Sequence, residues 1–352
     1  MNVAKELITW YNKNGRDLPW RQTKDPYIIW LSEIILQQTR VEQGMPYFYK
    51  FVEAYPTVKD FANADEDDLL RLWQGLGYYS RVRNMHKAAK MVLSHFDGVF
   101  PTKYNEVIQL TGVGEYTAAA ISSFSINARQ AVLDGNVFRV LSRYFGIDTP
   151  INSSSGKKHF LSLANELISE KEPGLYNQAI MDFGALICKP KVPLCNECVL
   201  REGCIAYQKD LIGSLPVKMK SKPSRNRYFH YFIIEKDSRL VFTKRGEGDV
   251  WANMYEFPLI ESVEDITVED LLELPAFKAD FDGASLEQLG PVVKQVLSHQ
   301  NIFARFYRVV DEQNNIKKNP LWNYYNSNNL DKLAKHKLIF SFINKYLSVL
   351  IN

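Results

Sequence analysis

No apolar run in this chain of 352 residues approaches the roughly 18–20 residues that cross a bilayer, so no membrane span is expected. Met1 to Trp10 carries the acidic Glu6 and helical spacing where a signal peptide would place an unbroken apolar core. Charge of one sign is also lacking. Forty-three lysines and arginines stand against 40 aspartates and glutamates, a formal charge of +3, which permits nucleic-acid binding without arguing for it. Low-complexity tracts and long internal repeats are missing, and 46% hydrophobic with 13% aromatic residues excludes a chain too polar to fold. Cysteine is scarce and clustered: all four, Cys188, Cys195, Cys198 and Cys204, fall in one short stretch. A soluble intracellular protein is expected. Its length exceeds what one hydrophobic core usually supports, so two domains are expected as well.

Strand signals are nearly missing from the first 210 residues, which read as helices. Asp25-Pro26 offers an N-cap and a first-turn proline. Val82, Met85, Ala89, Val92, Leu93 and Phe96 repeat at helical spacing before Gly98. Asp134-Gly135-Asn136 opens a helix that Gly146 ends, and Phe160–Ile168 and Tyr176–Leu186 continue the pattern. The character then changes. Residues 211–227 form a basic, proline-containing linker with Lys218, Lys220, Lys222, Arg225 and Arg227. Tyr228–Ile234, Leu240–Thr243 and Val293–Val310 read as strands, and Leu330–Leu350 as a closing amphipathic helix. The expected architecture is an all-helical domain over 1–210 followed by a smaller α+β domain over 228–352.

Four thiols close together after a helix make a metal or cluster arrangement, because soft sulfur suits iron–sulfur centres and zinc. Disulfides do not suit an intracellular chain. Structural zinc sites commonly pair two short C-x-x-C units across a longer loop, and only Cys195–Cys198 forms such a unit here, which puts iron–sulfur ahead with zinc still open.

Two carboxylates stand out. Glu33 is the one acidic residue in the apolar stretch Tyr27–Leu36; apolar neighbours raise a carboxyl pKa and let it keep a proton for delivery. Asp134 reads as a helix N-cap, a position expected to favour its charged form. Leu110-Thr111-Gly112-Val113-Gly114-Glu115-Tyr116 lies between helical segments, with Gly112 and Gly114 permitting a tight turn whose amides can meet a phosphate.

These segments together resemble the adenine DNA glycosylases of the MutY type, in the helix-hairpin-helix iron–sulfur superfamily that includes endonuclease III. The resemblance rests on Ser32-Glu33-Ile34-Ile35-Leu36-Gln37-Gln38-Thr39, the Gly112–Gly114 hairpin with Thr111 where proline is common, Val132–Val137 around Asp134, and the cysteine spacing. It implies a mainly α helix-hairpin-helix glycosylase domain with a [4Fe–4S] loop on Cys188, Cys195, Cys198 and Cys204, and a C-terminal α+β Nudix-like domain. By that resemblance Glu33 is the general acid that protonates adenine at N7 and Asp134 stabilises the sugar cation, with Tyr116 and Asn136 in the same site. Trp20 and Arg21 line the adenine pocket, and Asp182 is a further acidic pocket position. Gln38 enters the duplex at the flipped base, and Tyr78, in Gly75-Leu76-Gly77-Tyr78-Tyr79-Ser80-Arg81, wedges into the base stack. Val250–Pro258 resembles a Nudix segment, yet the Arg-Glu-x-x-Glu-Glu helix that would hold magnesium is missing; Glu264, Asp265, Glu269 and Asp270 follow instead. Ser298 and His299, after Leu297 in place of phenylalanine, match a loop that contacts 8-oxoguanine.

The implied partner is double-stranded DNA carrying 8-oxoguanine·A or G·A mispairs, handled by a monomer in the bacterial cytoplasm, associated with the nucleoid through DNA. The implied reaction is monofunctional base excision, since Tyr116 stands where lyases of the superfamily carry lysine. The rival is a bifunctional lesion glycosylase and lyase of the endonuclease III kind.

Overall fold

The computed structural model describes residues 2–220, 223–311, 316 and 319–350. Ser221 and Lys222 of the expected linker lie outside that set. The chain divides into two compact units, Met1–Asn63 with Asn84–Ser221, and Ala64–Arg83 with Lys222–Asn352. Among the described residues of the first, the regular elements are all helices. Its Pro26–Leu36 helix starts as the sequence predicts: the Asp25 side chain accepts from the Tyr27 amide and proline takes the first turn. Eight of its side chains, Glu33 among them, are buried, and it packs against the Glu115–Ile126 helix. Gly112 turns the hairpin at φ +78°, and Gly114 caps the Glu115–Ile126 helix.

The Gly135–Phe145 helix begins on Asp134 and ends on Gly146, which is left-handed at φ +66°. It packs beside the Pro173–Leu186 helix, against which Val3–Asn14 also packs. The shared core holds Val140, Leu141, Phe160, Ile180 and Phe183, with Trp10 edge-on to Phe183 at 5.1 Å. Each such side chain contributes roughly 1.5–3 kcal/mol by leaving water. That core makes a rigid base for the residues at the helix starts.

The second unit has strands β1 (Arg225–Ile233), β2 (Glu235–Lys236), β3 (Arg239–Lys244), β4 (Tyr255–Glu256), β5 (Leu259–Ser262), β6 (Ser285–Gln288), β7 (Val293–Val296), β8 (Gln300–Val310) and β9 (Asn323–Asn326). One sheet runs β5-β1-β8-β6, with β7 also on β8; the other runs β2-β3-β4, with β9 on β3. Central β1 and β8 are parallel, pairing Arg225 with Gln300 through Ile233 with Arg308. Phe232 and Tyr307 from this pair pack with Phe277, Phe281 and Trp322.

Two expectations change here. Val293–Val310 is two strands, because Ser298 and His299 sit in a tight turn closed by the Leu297 amide on the Gln300 carbonyl at 2.8 Å. The last helix spans Lys337–Leu350, starting after residue 336 instead of at Leu330. The preceding apolar residues belong to a 3-10 turn, Ser327–Lys332, and to a segment bridged to Tyr255 at Lys335.

Candidate active site

Several helix-borne or turn-borne segments of the first unit meet around a cavity of about 680 Å3. Its wall includes Trp20 and Arg21 from the Pro19–Arg21 turn, Glu33 from the Pro26–Leu36 helix, and Gln37 and Gln38 just after it. Tyr116 comes from the second hairpin helix, and Asp134 and Asn136 from the next helix start. The structure thus brings together residues separated by more than a hundred positions.

Glu33 is buried to 8% exposure and accepts a hydrogen bond from the Tyr116 hydroxyl at 2.8 Å. Burial pushes its carboxyl from the ordinary 4.5 up to about 7, with Asp134 adding to the rise and Tyr116 and Arg21 opposing it. The same burial, with Glu33 beside it, keeps the Tyr116 hydroxyl protonated well above its usual range. Glu33 can therefore hold a proton near neutral pH, as its apolar surroundings in the sequence predict.

Asp134 departs from expectation in one respect. Its Oδ1 accepts from the Asn136 and Val137 amides at 2.9 and 2.8 Å, and Oδ2 from the Asn136 side chain at 2.8 Å. Burial nevertheless outweighs these donors and raises its pKa. The N-cap alone does not fix the charge, because desolvation penalises the anion more than the cap favours it. Asn136 is held in turn by Arg139, whose Nη2 donates to its Oδ1 at 2.8 Å.

Asp182 lies behind the cavity wall instead of in it. Fully buried, it accepts from Arg21 Nη1 and Nη2, both at 2.7 Å, and from Arg16 Nε at 2.9 Å and the Arg16 amide at 3.0 Å. Burial alone would raise this carboxyl, but the two guanidiniums hold it below its ordinary value. Asp182 thereby aims Arg16 and Arg21, which do line the cavity. Arg16, Gln37, Gln178 and Met181 also line it; Gln37 and Met181 adjoin Gln38 and Asp182, which the sequence singles out, while Arg16 and Gln178 adjoin no such residue. Among the described residues that line the cavity there is no lysine.

Other expected residues lie elsewhere. Gly112 and Gly114 form the hairpin at the foot of the Tyr116 helix. Tyr78, Ser298 and His299 belong to the second unit, where Ser298 Oγ donates to the Tyr78 hydroxyl at 3.2 Å. Two of the acids after Pro258 are engaged structurally: Asp270 closes a capping box with Thr267, and Asp265 pairs with Arg305.

Cys188, Cys195, Cys198 and Cys204 are free thiols that line a small cavity of their own with Arg143 and Arg201. Arg143 Nη1 stands 3.5 Å from Cys188 Sγ. Among the described residues, no three cysteine, histidine or acidic side chains converge tightly enough to hold a metal ion as they stand. The donor set nonetheless fits a thiolate-bound centre: four soft ligands face one space, unpaired to each other, with guanidiniums to balance their charge.

The HhH-GPD superfamily base excision DNA repair protein family matches residues 31–166, and the NUDIX domain family matches 230–345. Adenine DNA glycosylase of Buchnera aphidicola subsp. Acyrthosiphon pisum (strain APS) is 36% identical over 263 residues, 74% of this chain and 75% of that one. Adenine DNA glycosylase of Rattus norvegicus is 30% identical over 369 residues, covering 88% and 70%. Among solved structures, a thermostable thymine-DNA glycosylase superposes with a TM-score of 0.55 at 30% identity, covering 58% of this chain and 95% of its own.

Proposed function

The chain belongs to the adenine DNA glycosylase family, and from that premise we propose that it removes adenine mispaired with 8-oxoguanine or guanine by acid-assisted, monofunctional hydrolysis. The observation that carries this reading is Glu33, a buried acid with a pKa of about 7 facing the same cavity as Asp134. Neutral adenine leaves poorly as an anion. Glu33 gives its proton to N7 of the flipped base, the bond from C1′ to N9 breaks, and its electron pair goes to the protonated purine. Positive charge then builds on the sugar. Asp134 stands beside it, and an arriving cation favours its anionic form. Water adds to C1′, and the proton it releases recharges Glu33. Two carboxylates thus divide acid and stabilising roles, as in glycoside hydrolysis.

Arg21 and Trp20 shape the base pocket, with Asp182 fixing the guanidinium of Arg21. Tyr116 and the lack of a lysine among the described lining residues support the monofunctional reading over a lyase, which needs an amine to form a Schiff base. Gln38, left-handed at φ +56°, and Tyr78 are read as the side chains that fill the vacated stack. Gly112 and Gly114 present hairpin amides to a phosphate, and Ser298 with His299 reads the partner base. Cys188, Cys195, Cys198 and Cys204 would hold a [4Fe–4S] cluster. When bound, it supplies a structural tie that fastens its loop to the first unit.

The test is release of adenine from duplexes carrying A opposite 8-oxoguanine, guanine, cytosine or thymine, with Glu33→Gln in parallel. Single-turnover excision should fall by roughly 100- to 10,000-fold in the variant, the usual share of general acid catalysis, with duplex binding retained. Near-normal turnover by the variant would remove Glu33 from the mechanism.

A further inference from the structure

The Tyr78 turn is pinned from within. Gly75 and Gly77 are left-handed at φ +105° and +73°, as is Tyr78 at +46°. Trp73 Nε1 donates to the Gly77 carbonyl at 3.0 Å, and the Arg81 guanidinium lies 4.8 Å over the Trp73 ring. The whole segment Ala64–Arg83 belongs to the second unit, and four polar contacts inside that unit hold it. Lys244 Nζ bonds both Asp67 carboxylate oxygens at 2.7 and 2.9 Å. Asn253 Nδ2 donates to Glu66 Oε1 at 2.9 Å, Arg83 Nη1 to the Ala252 carbonyl at 2.9 Å, and the Lys335 amide to Gln74 Oε1 at 3.3 Å.

The loop that supplies two of these contacts is strained. Trp251 and Asn253 sit at φ +59° and +63°. Asparagine tolerates that region, whereas tryptophan rarely enters it. The conformation is over-determined from its surroundings. Trp251 stacks on buried His336 at 3.8 Å and 5°, and Arg245 closes the loop with its amide on Met254 O and its carbonyl on the Asn253 amide, both at 2.9 Å. A segment strained in this way persists only where the surrounding structure fixes it. Here it presents Ala252 O and Asn253 Nδ2 to Arg83 and Glu66.

We propose that Lys244 and the Val250–Met254 loop form a clasp on Ala64–Arg83, and that Asp67, Glu66 and Arg83 are positioning residues that fix Tyr78 beside Ser298. This rests on the reading of Tyr78 as the wedge and Ser298 as the reader of the partner base. Wedge and reader then arrive at the duplex as one body, so Ser298 meets the lesion only when Tyr78 has opened the stack. None of the residues lining the adenine cavity belongs to the clasp. Loosening it therefore costs partner-base preference, not adenine chemistry.

The experiment uses the full chain and a charge swap: Asp67→Lys, Lys244→Asp and the double variant, with Ser298→Ala as reference. Two quantities are read. One is hydrogen–deuterium exchange over residues 73–81; the other is the ratio of single-turnover excision rates for A opposite 8-oxoguanine and opposite guanine. Asp67→Lys should speed exchange and lower the ratio by about two- to five-fold, the range a partly exposed ion pair supports. The double variant should restore both. Unchanged exchange over 73–81 in Asp67→Lys overturns the clasp, and so does a double variant that fails to recover. A ratio that Ser298→Ala lowers but Asp67→Lys leaves alone overturns the positioning role. If exchange responds and recovers while neither variant moves the ratio, the clasp stands and the reading of Ser298 falls.

Discussion

Glu33 shows how one side chain is tuned against the stability of its own fold. Its carboxyl rises from 4.5 to about 7 because burial penalises the anion. The folded chain therefore binds more protons here than the unfolded chain between those values. Stability drawn from the protonated form is full below pH 4.5, is lost as pH climbs through 7, and stays lost above it. A tenfold change in proton affinity between the folded and unfolded chain is worth about 1.4 kcal/mol. Glu33→Gln keeps an acceptor for the Tyr116 hydroxyl without a charge to bury, so it should be more stable than the parent at pH 8, by about 1–3 kcal/mol, and no more stable at pH 4. Thermal melts at the two pH values check this; a variant destabilised at pH 8 would contradict it. The same titration predicts that single-turnover excision declines as pH rises past about 7.

At the scale of elements, the hairpin separates two glycines that look equivalent in the sequence. Gly112 is left-handed at φ +78°, and a Cβ there would meet the Asn84 Cβ at 2.7 Å. Gly114 has φ −99° and open space around it. Gly112→Ala should cost about 1 kcal/mol or more and weaken duplex binding, whereas Gly114→Ala should leave the melting temperature unchanged. Equal melting losses in both would mean the turn is not the constraint. Local signals of this kind were legible throughout: Asp25-Pro26, the Asp134 cap and the Gly146 stop each act within a few residues of chain. The start of the closing helix was not, since Leu330, Leu333 and Ala334 are apolar because they are buried, not because they belong to that helix. Asp182 was visible as a carboxylate but not as the partner of Arg16 and Arg21, more than 160 positions away. The rise at Asp134 was hidden for the same reason, because burial comes from packing that no local pattern encodes. Nor could any motif show that Ala64–Arg83 folds with the C-terminal residues.

At the scale of the whole molecule, the proposed reading gives two units two tasks, base removal and inspection of the opposite base. Four thiols in one cavity with Arg143 and Arg201 predict about four iron atoms per chain in anaerobically purified protein, one complete ligand set; stoichiometric zinc in place of iron would overturn the cluster. The harder task is choice. Nearly every adenine in a genome is correctly paired, and on the proposed reading the cavity around Glu33 holds the adenine, not its partner. The second unit offers an exposed turn, Ser298-His299, between β7 and β8, and Ser298 already donates to Tyr78, leaving its oxygen lone pairs able to accept. 8-Oxoguanine carries a hydrogen on N7, where guanine has only an acceptor. A serine oxygen that takes this hydrogen rewards the damaged base and gains nothing from guanine. Alanine at both Ser298 and His299 should therefore slow excision opposite 8-oxoguanine more than opposite guanine. One hydrogen bond is worth about 1 kcal/mol net, so the preference should shrink several-fold and not vanish. Single-turnover rates on both duplexes decide it: equal slowing on the two would reduce the turn to a general DNA contact.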